Sequence, residues 1–263
     1  TLLVQTRVQA LETRNERIQA LRCVPVHLDG RPASGADVQI VAKHYVVSGG
    51  AINSPALLMR SGLPDPQSLL GRRTFLHPVV ISAALFEQAV VFKEAATTEI
   101  YTDHFLETQP IDGAIGYKLE APPIHPVIFA STLPGYGQAQ ADLLAEFPKT
   151  HSLLALLRDG FNEQSPGGRV TLRSDGSPVL DYPLTDFVMD GARRAFLSMA
   201  EIQFAAGAKA VLPVHEMAQR YASWAQAKDA IAALPMKPLL TRVVSAHVMG
   251  GCGMAADDKR GVV

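Results

Sequence analysis

Val46-Val47-Ser48-Gly49-Gly50-Ala51-Ile52-Asn53-Ser54-Pro55 runs from an apolar stretch through two adjacent glycines into residues that open helices. Asn53 or Ser54 can cap a helix, Pro55 suits its first position, and Ala56-Leu57-Leu58-Met59 supplies its body. Gly62 then ends it. A strand, a glycine turn and a helix N-terminus therefore follow one another between Tyr45 and Pro55. Upstream, Leu2–Leu11, Ile18–Leu28 and Val38–Val47 read as three β segments, rich in Val, Ile and Leu and separated by turns at Asp29-Gly30 and Ser34-Gly35. The fold class expected is mixed α/β.

Downstream the pattern loosens. Prolines cluster at Pro122-Pro123, Pro126 and Pro134, between short β runs at Val79–Phe86, Ile115–Leu119 and Val127–Leu133, as in an irregular substrate-shaping domain. Arg169-Val170-Thr171-Leu172 and Pro178-Val179-Leu180 flank the turn Ser174-Asp175-Gly176-Ser177 and predict a hairpin. Thr185 caps a long helix in which Val188, Ala192, Ala195, Met199, Ile202 and Ala206 recur at spacings of four and three, ending at Gly207. A second helix is expected around Ser223–Leu234. A last β segment, Thr241–His247, leads into Gly250-Gly251-Cys252-Gly253.

The 263 residues carry 24 Lys+Arg and 25 Asp+Glu, a formal net charge of −1, with 48% hydrophobic residues. That hydrophobicity excludes a disordered chain. The charge balance leaves no surplus of cations for phosphate neutralisation, which argues against nucleic acid as a partner. No apolar run approaches the roughly 20 residues of a membrane span. Cys23 and Cys252 form no CxxC, and as free thiols they fit a cytoplasmic compartment; peripheral membrane association is compatible with this. The chain begins at Thr1 within a strand-like stretch and stops at Gly261-Val262-Val263, so it is expected to be cut at both ends.

Several motifs fail on chemistry. His215-Glu216-Met217-Ala218-Gln219 starts like a zinc-protease helix, but Gln219 stands where the second imidazole is needed, and no metal site is expected. No GxSxG elbow supplies a serine nucleophile. Gly251-Cys252-Gly253-Met254-Ala255-Ala256 fits a loose dinucleotide pattern, yet Asp257-Asp258 follow where a phosphate-holding helix would have to start. Of the eight histidines, His27, His44 and His125 read as strand or near-strand residues, His104 and His151 have no recurring partner, and His77 before Pro78 is a loop residue near a site. His247 stands apart: it closes a β segment directly before a glycine turn, where α/β sheets place ligand-facing side chains.

The 46–55 stretch, with Leu57-Leu58 and Ser61-Gly62 after it, resembles the signature of the glucose–methanol–choline (GMC) oxidoreductases, with Ser48 in place of the usual Ala. His247-Val248-Met249-Gly250-Gly251-Cys252-Gly253-Met254 is similar to that family's His-x-x-Gly-Thr-Cys-Arg-Met, with Gly251 for Thr and Gly253 for Arg. Leu70-Gly71-Arg72, His77-Pro78 and the hairpin at Gly168–Leu180 match two further segments in the same order.

The resemblance implies an FAD enzyme that oxidises a small-molecule alcohol to an aldehyde or ketone, with His247 as acid/base, since an imidazole exchanges protons near neutral pH. It implies cofactor contacts at Ser48, Gly49 and Gly50 in the turn and at Val8, where a family strand offers its backbone to the adenine. It divides the chain into an FAD-binding part at 1–78, a substrate-binding domain at 79–240, and a return to the FAD side at 241–263. The family's pyrophosphate loop is expected upstream of Thr1 and a second catalytic His or Asn downstream of Val263. Substrate walls are expected from Leu106–Asp112 and Pro122–Pro126. The alternative is a non-catalytic remnant or binding scaffold without cofactor. The alcohol, the electron acceptor (oxygen, quinone or other) and the oligomeric state stay open.

Overall fold

The computed structural model describes residues 2–90, 100–257 and 259–262; Thr1 and Val263, the expected cut ends, lie outside the described residues. In chain order the strands are β1 (Thr6–Arg14), β2 (Arg17–Pro25), β3 (Val38–Ile40), β4 (Phe75–Leu76), β5 (Val79–Leu85), β6 (Ile100–Thr102), β7 (Tyr117–Ala121), β8 (Thr150–Leu157), β9 (Arg169–Leu172), β10 (Pro178–Asp181), β11 (Ala210–Pro213) and β12 (Val248–Met249). The helices are α1 (Gly50–Arg60), α2 (Pro126–Thr132), α3 (Gln138–Ala145), α4 (Asp186–Ala205) and α5 (Trp224–Ala233). The chain forms a mixed α/β structure of two compact units, one comprising the residues up to Phe75, Gly167–Pro183 and those from Val248 onward, the other Leu76–Pro166 and Leu184–His247. Among the described residues no helix is long and apolar enough to cross a membrane.

In the first unit β1, β2 and β3 form an antiparallel sheet, with β1 and β2 joined by a tight turn in which Asn15 and Glu16 both take positive φ. The end of α1 is bolted to β1: the Leu11 N–H donates to Ser61 Oγ (2.8 Å), whose hydroxyl donates to the Leu57 carbonyl (2.7 Å). Arg60 reaches the Gly176 carbonyl in the β9–β10 turn (3.1 Å), tying the hairpin to the same helix. Expected and observed helices differ at their start. Helix α1 begins at Gly50, so Pro55 sits inside it. A proline there removes the N–H that would have bonded the Ala51 carbonyl. That carbonyl is packed instead by Gly251 (φ +74°), where any Cβ would collide with it. The two glycine-bearing segments, some 200 positions apart in sequence, thus meet backbone to backbone. The apolar run after Val38 also ends as a strand at Ile40 rather than Val47.

The second unit is built on a five-stranded antiparallel sheet, ordered β11-β5-β8-β7-β6. Strand alternation divides its side chains. Val80 and Ala84 from β5, Tyr117 and Leu119 from β7, and Leu153, Ala155 and Leu157 from β8 share one core with Val188, Ala192, Phe196 and Met199 of α4. Thr185 caps α4 through its hydroxyl, and α5 is capped likewise by Ser223. Polar groups in this layer are answered locally: the Ser82 hydroxyl donates to Gln203 Oε1 (2.7 Å), Gln203 Nε2 donates to the Ser82 carbonyl (2.9 Å), and the Tyr117 hydroxyl lies 2.7 Å from Ser198 Oγ.

On the opposite face Ala83 packs against Phe129 and Leu133 of α2. Val127–Leu133, expected as a strand, is this helix. Pro126 stands at its first turn and the His125 ring accepts from the Val127 N–H (3.3 Å), so the capping chemistry overrides the β preference of Val127 and Ile128. Thr241–His247 is not a strand either. Only single bridges form there, Thr241 with His215 and Val244 with Val79.

Candidate active site

His247 is exposed at the end of the second unit's chain, and its neighbourhood is fixed by backbone bonds. Val79 and Val244 exchange two hydrogen bonds (2.8 and 3.0 Å), and the His77 N–H donates to the His247 carbonyl (3.1 Å). The same carbonyl accepts from the Ser245 hydroxyl (3.0 Å), while the Pro78 carbonyl accepts from the Leu157 N–H (2.8 Å). This frame brings the two imidazoles together: His77 Nδ1 and His247 Nδ1 lie 3.2 Å apart, with ring centroids 5.5 Å apart and planes tilted by 39°. At that distance one Nδ1 must carry a hydrogen and the other must accept it.

Burial holds the His77 pKa below the ordinary histidine value; the His247 charge adds to this, Glu120 works against it, and Lys118 lowers it further. Lys118 and Glu120 lie on the sheet face turned away from α4, paired by register with Leu156 and Leu154. Their side chains form an ion pair (3.2 Å), and Lys118 Nζ sits 4.0 Å from the centre of the Tyr101 ring. His77 was marked only as a loop residue near a site, and Lys118 and Glu120 were not marked at all. The His77-Pro78 segment was the available signal for the first, but its partner is 170 positions away. Only the β7–β8 register reveals the other two.

In the first unit Val8, Ser48 and Gly49 line one cavity of about 510 Å³, together with Arg7, Asn53 and Arg60. Gly50, the fourth expected cofactor residue, is not on that lining; it is the first residue of α1, at φ +77°. The first turn of α1 has neither an acidic residue nor a side-chain cap, so its N–H groups and the positive end of its dipole are available to an anion. The guanidinium groups of Arg7 and Arg60 make this wall electropositive, and burial together with the Arg7 charge lowers the Arg60 pKa. Apolar strand surface at Val8 and cationic and amide donors around it suit a group with a flat aromatic part and phosphates. Lined by Val8, Ser48 and Gly49, with α1 starting at the next residue, the cavity fits the FAD expected here.

His215, by contrast, is fully buried, with Nδ1 accepting from the Met217 N–H (3.1 Å) and Nε2 against the Pro235 carbonyl (3.1 Å), a structural role. Among the described residues no group of His, Cys, Asp and Glu could hold a metal ion.

Family models described as GMC oxidoreductase match residues 1–79 and 164–263, and the chain belongs to that family. It is 27% identical over 239 residues to a long-chain-alcohol oxidase of Arabidopsis thaliana, covering 84% of this chain and 31% of that protein. It is 25% identical over 256 residues to an uncharacterized GMC-type oxidoreductase of Sinorhizobium fredii, covering 95% of this chain and 46% of the relative. Among solved structures, a formate oxidase of Aspergillus oryzae superposes with a TM-score of 0.63 at 15% identity, over 98% of this chain and 52% of that one. Pyridoxine 4-oxidase from Mesorbium loti gives 0.55 at 18%, over 96% and 47%. The chain thus spans about a third to a half of the length of these proteins.

Proposed function

We propose that the protein carries out FAD-dependent oxidation of an alcohol to an aldehyde or ketone, with His247 as the group that takes the hydroxyl proton. The observation that carries this reading is the His77–His247 pair, held by four backbone hydrogen bonds in a chain of the GMC family. Bound FAD supplies the acceptor for the hydride that leaves the carbinol carbon.

This chain's residues hold and orient the proton-accepting atom. A neutral His77, kept so by burial, accepts the His247 Nδ1 hydrogen on its own Nδ1. The lone pair of His247 is then on Nε2, the atom free to receive the proton, and the pinned backbone fixes where that atom points. The FAD side is assigned to 1–78 and 241–263 and the substrate side to 79–240, with the Pro122–Pro126 segment as part of the substrate wall. The free thiols Cys23 and Cys252 support a cytoplasmic location.

The test is anaerobic mixing of the holoenzyme with a panel of primary alcohols. Replacing His247→Ala should slow flavin reduction about 10²–10⁴-fold, the usual worth of a positioned base, and leave the yellow flavin spectrum in place. Unchanged reduction would overturn the role of His247.

A further inference from the structure

A groove of about 380 Å³ lies on the same sheet face as the imidazole pair, wholly within the second unit. Its floor is Ile81 and Leu154, cross-strand partners whose neighbours Val80 and Ala155 point the other way, into the α4 core. Ile124 and Ile128 form its outer wall, and Val244 closes one end. The polar groups on the lining are mostly turned inward on their own backbone. The Thr132 hydroxyl donates to the Ile128 carbonyl (2.6 Å), and His125 Nδ1 is taken by the Val127 N–H. What the groove offers a ligand is therefore hydrocarbon. Ile128 and Val244 remain 63% and 44% exposed, apolar surface with nothing of this unit over it.

Its position relative to the imidazoles follows from the strand. His77, Val79 and Ile81 alternate onto one side, so the floor begins four residues from His77, roughly 13 Å at strand spacing. Val244, at the near end, is bridged to Val79 and stands three residues before His247. On the other flank of the same face, Lys118 and Glu120 present charge, with the Tyr101 ring against the Lys118 ammonium. An apolar substituent on a carbinol held at His247 has one dry direction to run, toward Val244 and Ile81.

We propose that this groove binds the distal aliphatic chain of the alcohol substrate, so that the enzyme selects unbranched primary alcohols long enough to reach it. The proposal rests on the oxidation reading above and adds a length threshold to it. Carbons between the imidazole and Val244 gain little from the groove. Those beyond it are buried.

The experiment measures, for the holoenzyme, the apparent Kd for flavin reduction across ethanol to decanol. A parallel 19F NMR titration uses a terminally trifluoromethylated decanol, which reports seating whether or not oxidation occurs. The affinity should be nearly flat from ethanol to butanol and then rise about three- to fourfold per methylene from hexanol onward. Ile128→Glu should flatten that rise and abolish the NMR broadening. Val127→Glu, on the same helix but off the groove and 68% exposed, should retain both.

Flavin reduction that ignores chain length, or a rise that survives Ile128→Glu, overturns the groove and leaves the oxidation reading standing. NMR broadening lost in Ile128→Glu, with no alcohol reducing the flavin, supports the groove and overturns the oxidation reading. No broadening overturns the groove.

Discussion

On the α4 side of the five-stranded sheet, Val80, Ala84, Tyr117, Leu119, Leu153, Ala155 and Leu157 are all buried, and polar groups are answered locally, Ser82 by Gln203 and the Tyr117 hydroxyl by Ser198 Oγ. On the other side the alternate residues of the same strands are Ile81, Lys118, Glu120, Leu154 and Leu156, with the imidazole pair at the end of β5. One parity of each strand packs against α4; the other carries the α2 contact at Ala83 and the face beside the imidazole pair. Period-two alternation makes this division possible, because a residue can change on one face without touching the layer behind it. It also means that damage to the two faces should be read out by different measurements.

The largest expected effect lies on the packed side. Phe196 is fully buried at the centre of the α4 interface, so Phe196→Ala should cost about 3–5 kcal/mol of stability through lost burial and the cavity left behind. Denaturant unfolding measures it. In the fraction that remains folded, His77 should titrate as in the parent protein. A large change in the His77 titration would break the separation of the faces.

The next effect is smaller and belongs to the chemical side. Burial depresses the pKa of His77, and of His151 as well. Both take up a proton more readily unfolded, at the ordinary value of about 6.5, than folded. The unfolded state therefore binds more protons as the pH falls through 6.5, and stability declines from there downward until the folded values are passed. His77→Gln should remove its share of this acid limb and leave that of His151. Unfolding curves between about pH 7.5 and pH 5 decide the matter; an unaltered slope would show that His77 is not the desolvated group described here.

How much of this was legible in the sequence depends on the range of the interaction. Helix α4 was readable because its core face repeats at four and three, and its Thr185 cap and Gly207 terminator are local. The β9–β10 hairpin was readable because its turn chemistry lies within the segment that folds. Helix α2 was not, since Val127, Ile128 and Phe129 look like a strand until His125 and Pro126 are weighed as a cap. Residues 241–247 likewise have a strand's composition, but the bridges at Thr241 and Val244 are isolated ones. Among the candidate residues, His247 and the glycine turn were each marked by their own neighbours. The partnership of His77 with His247 and the facing of Lys118 and Glu120 toward them are set by strand register, which no local pattern encodes.

That register makes the finest test of the chemical face electrostatic. Glu120 raises the pKa of His77 and Lys118 lowers it, each acting from β7 across the sheet surface while bonded to the other. Glu120→Gln removes the favourable charge and at the same time leaves Lys118 without its counter-ion, so both consequences push the His77 pKa down. Lys118→Met does the reverse: the repulsion is gone and the carboxylate is left unneutralised, so the His77 pKa moves up. Titration of the His77 Cε1 proton by NMR should therefore shift in opposite directions in the two variants. If both variants moved His77 the same way, the cause would be a common change in its burial. The charged flank would then be a surface ion pair beside the imidazoles rather than part of their electrostatic environment.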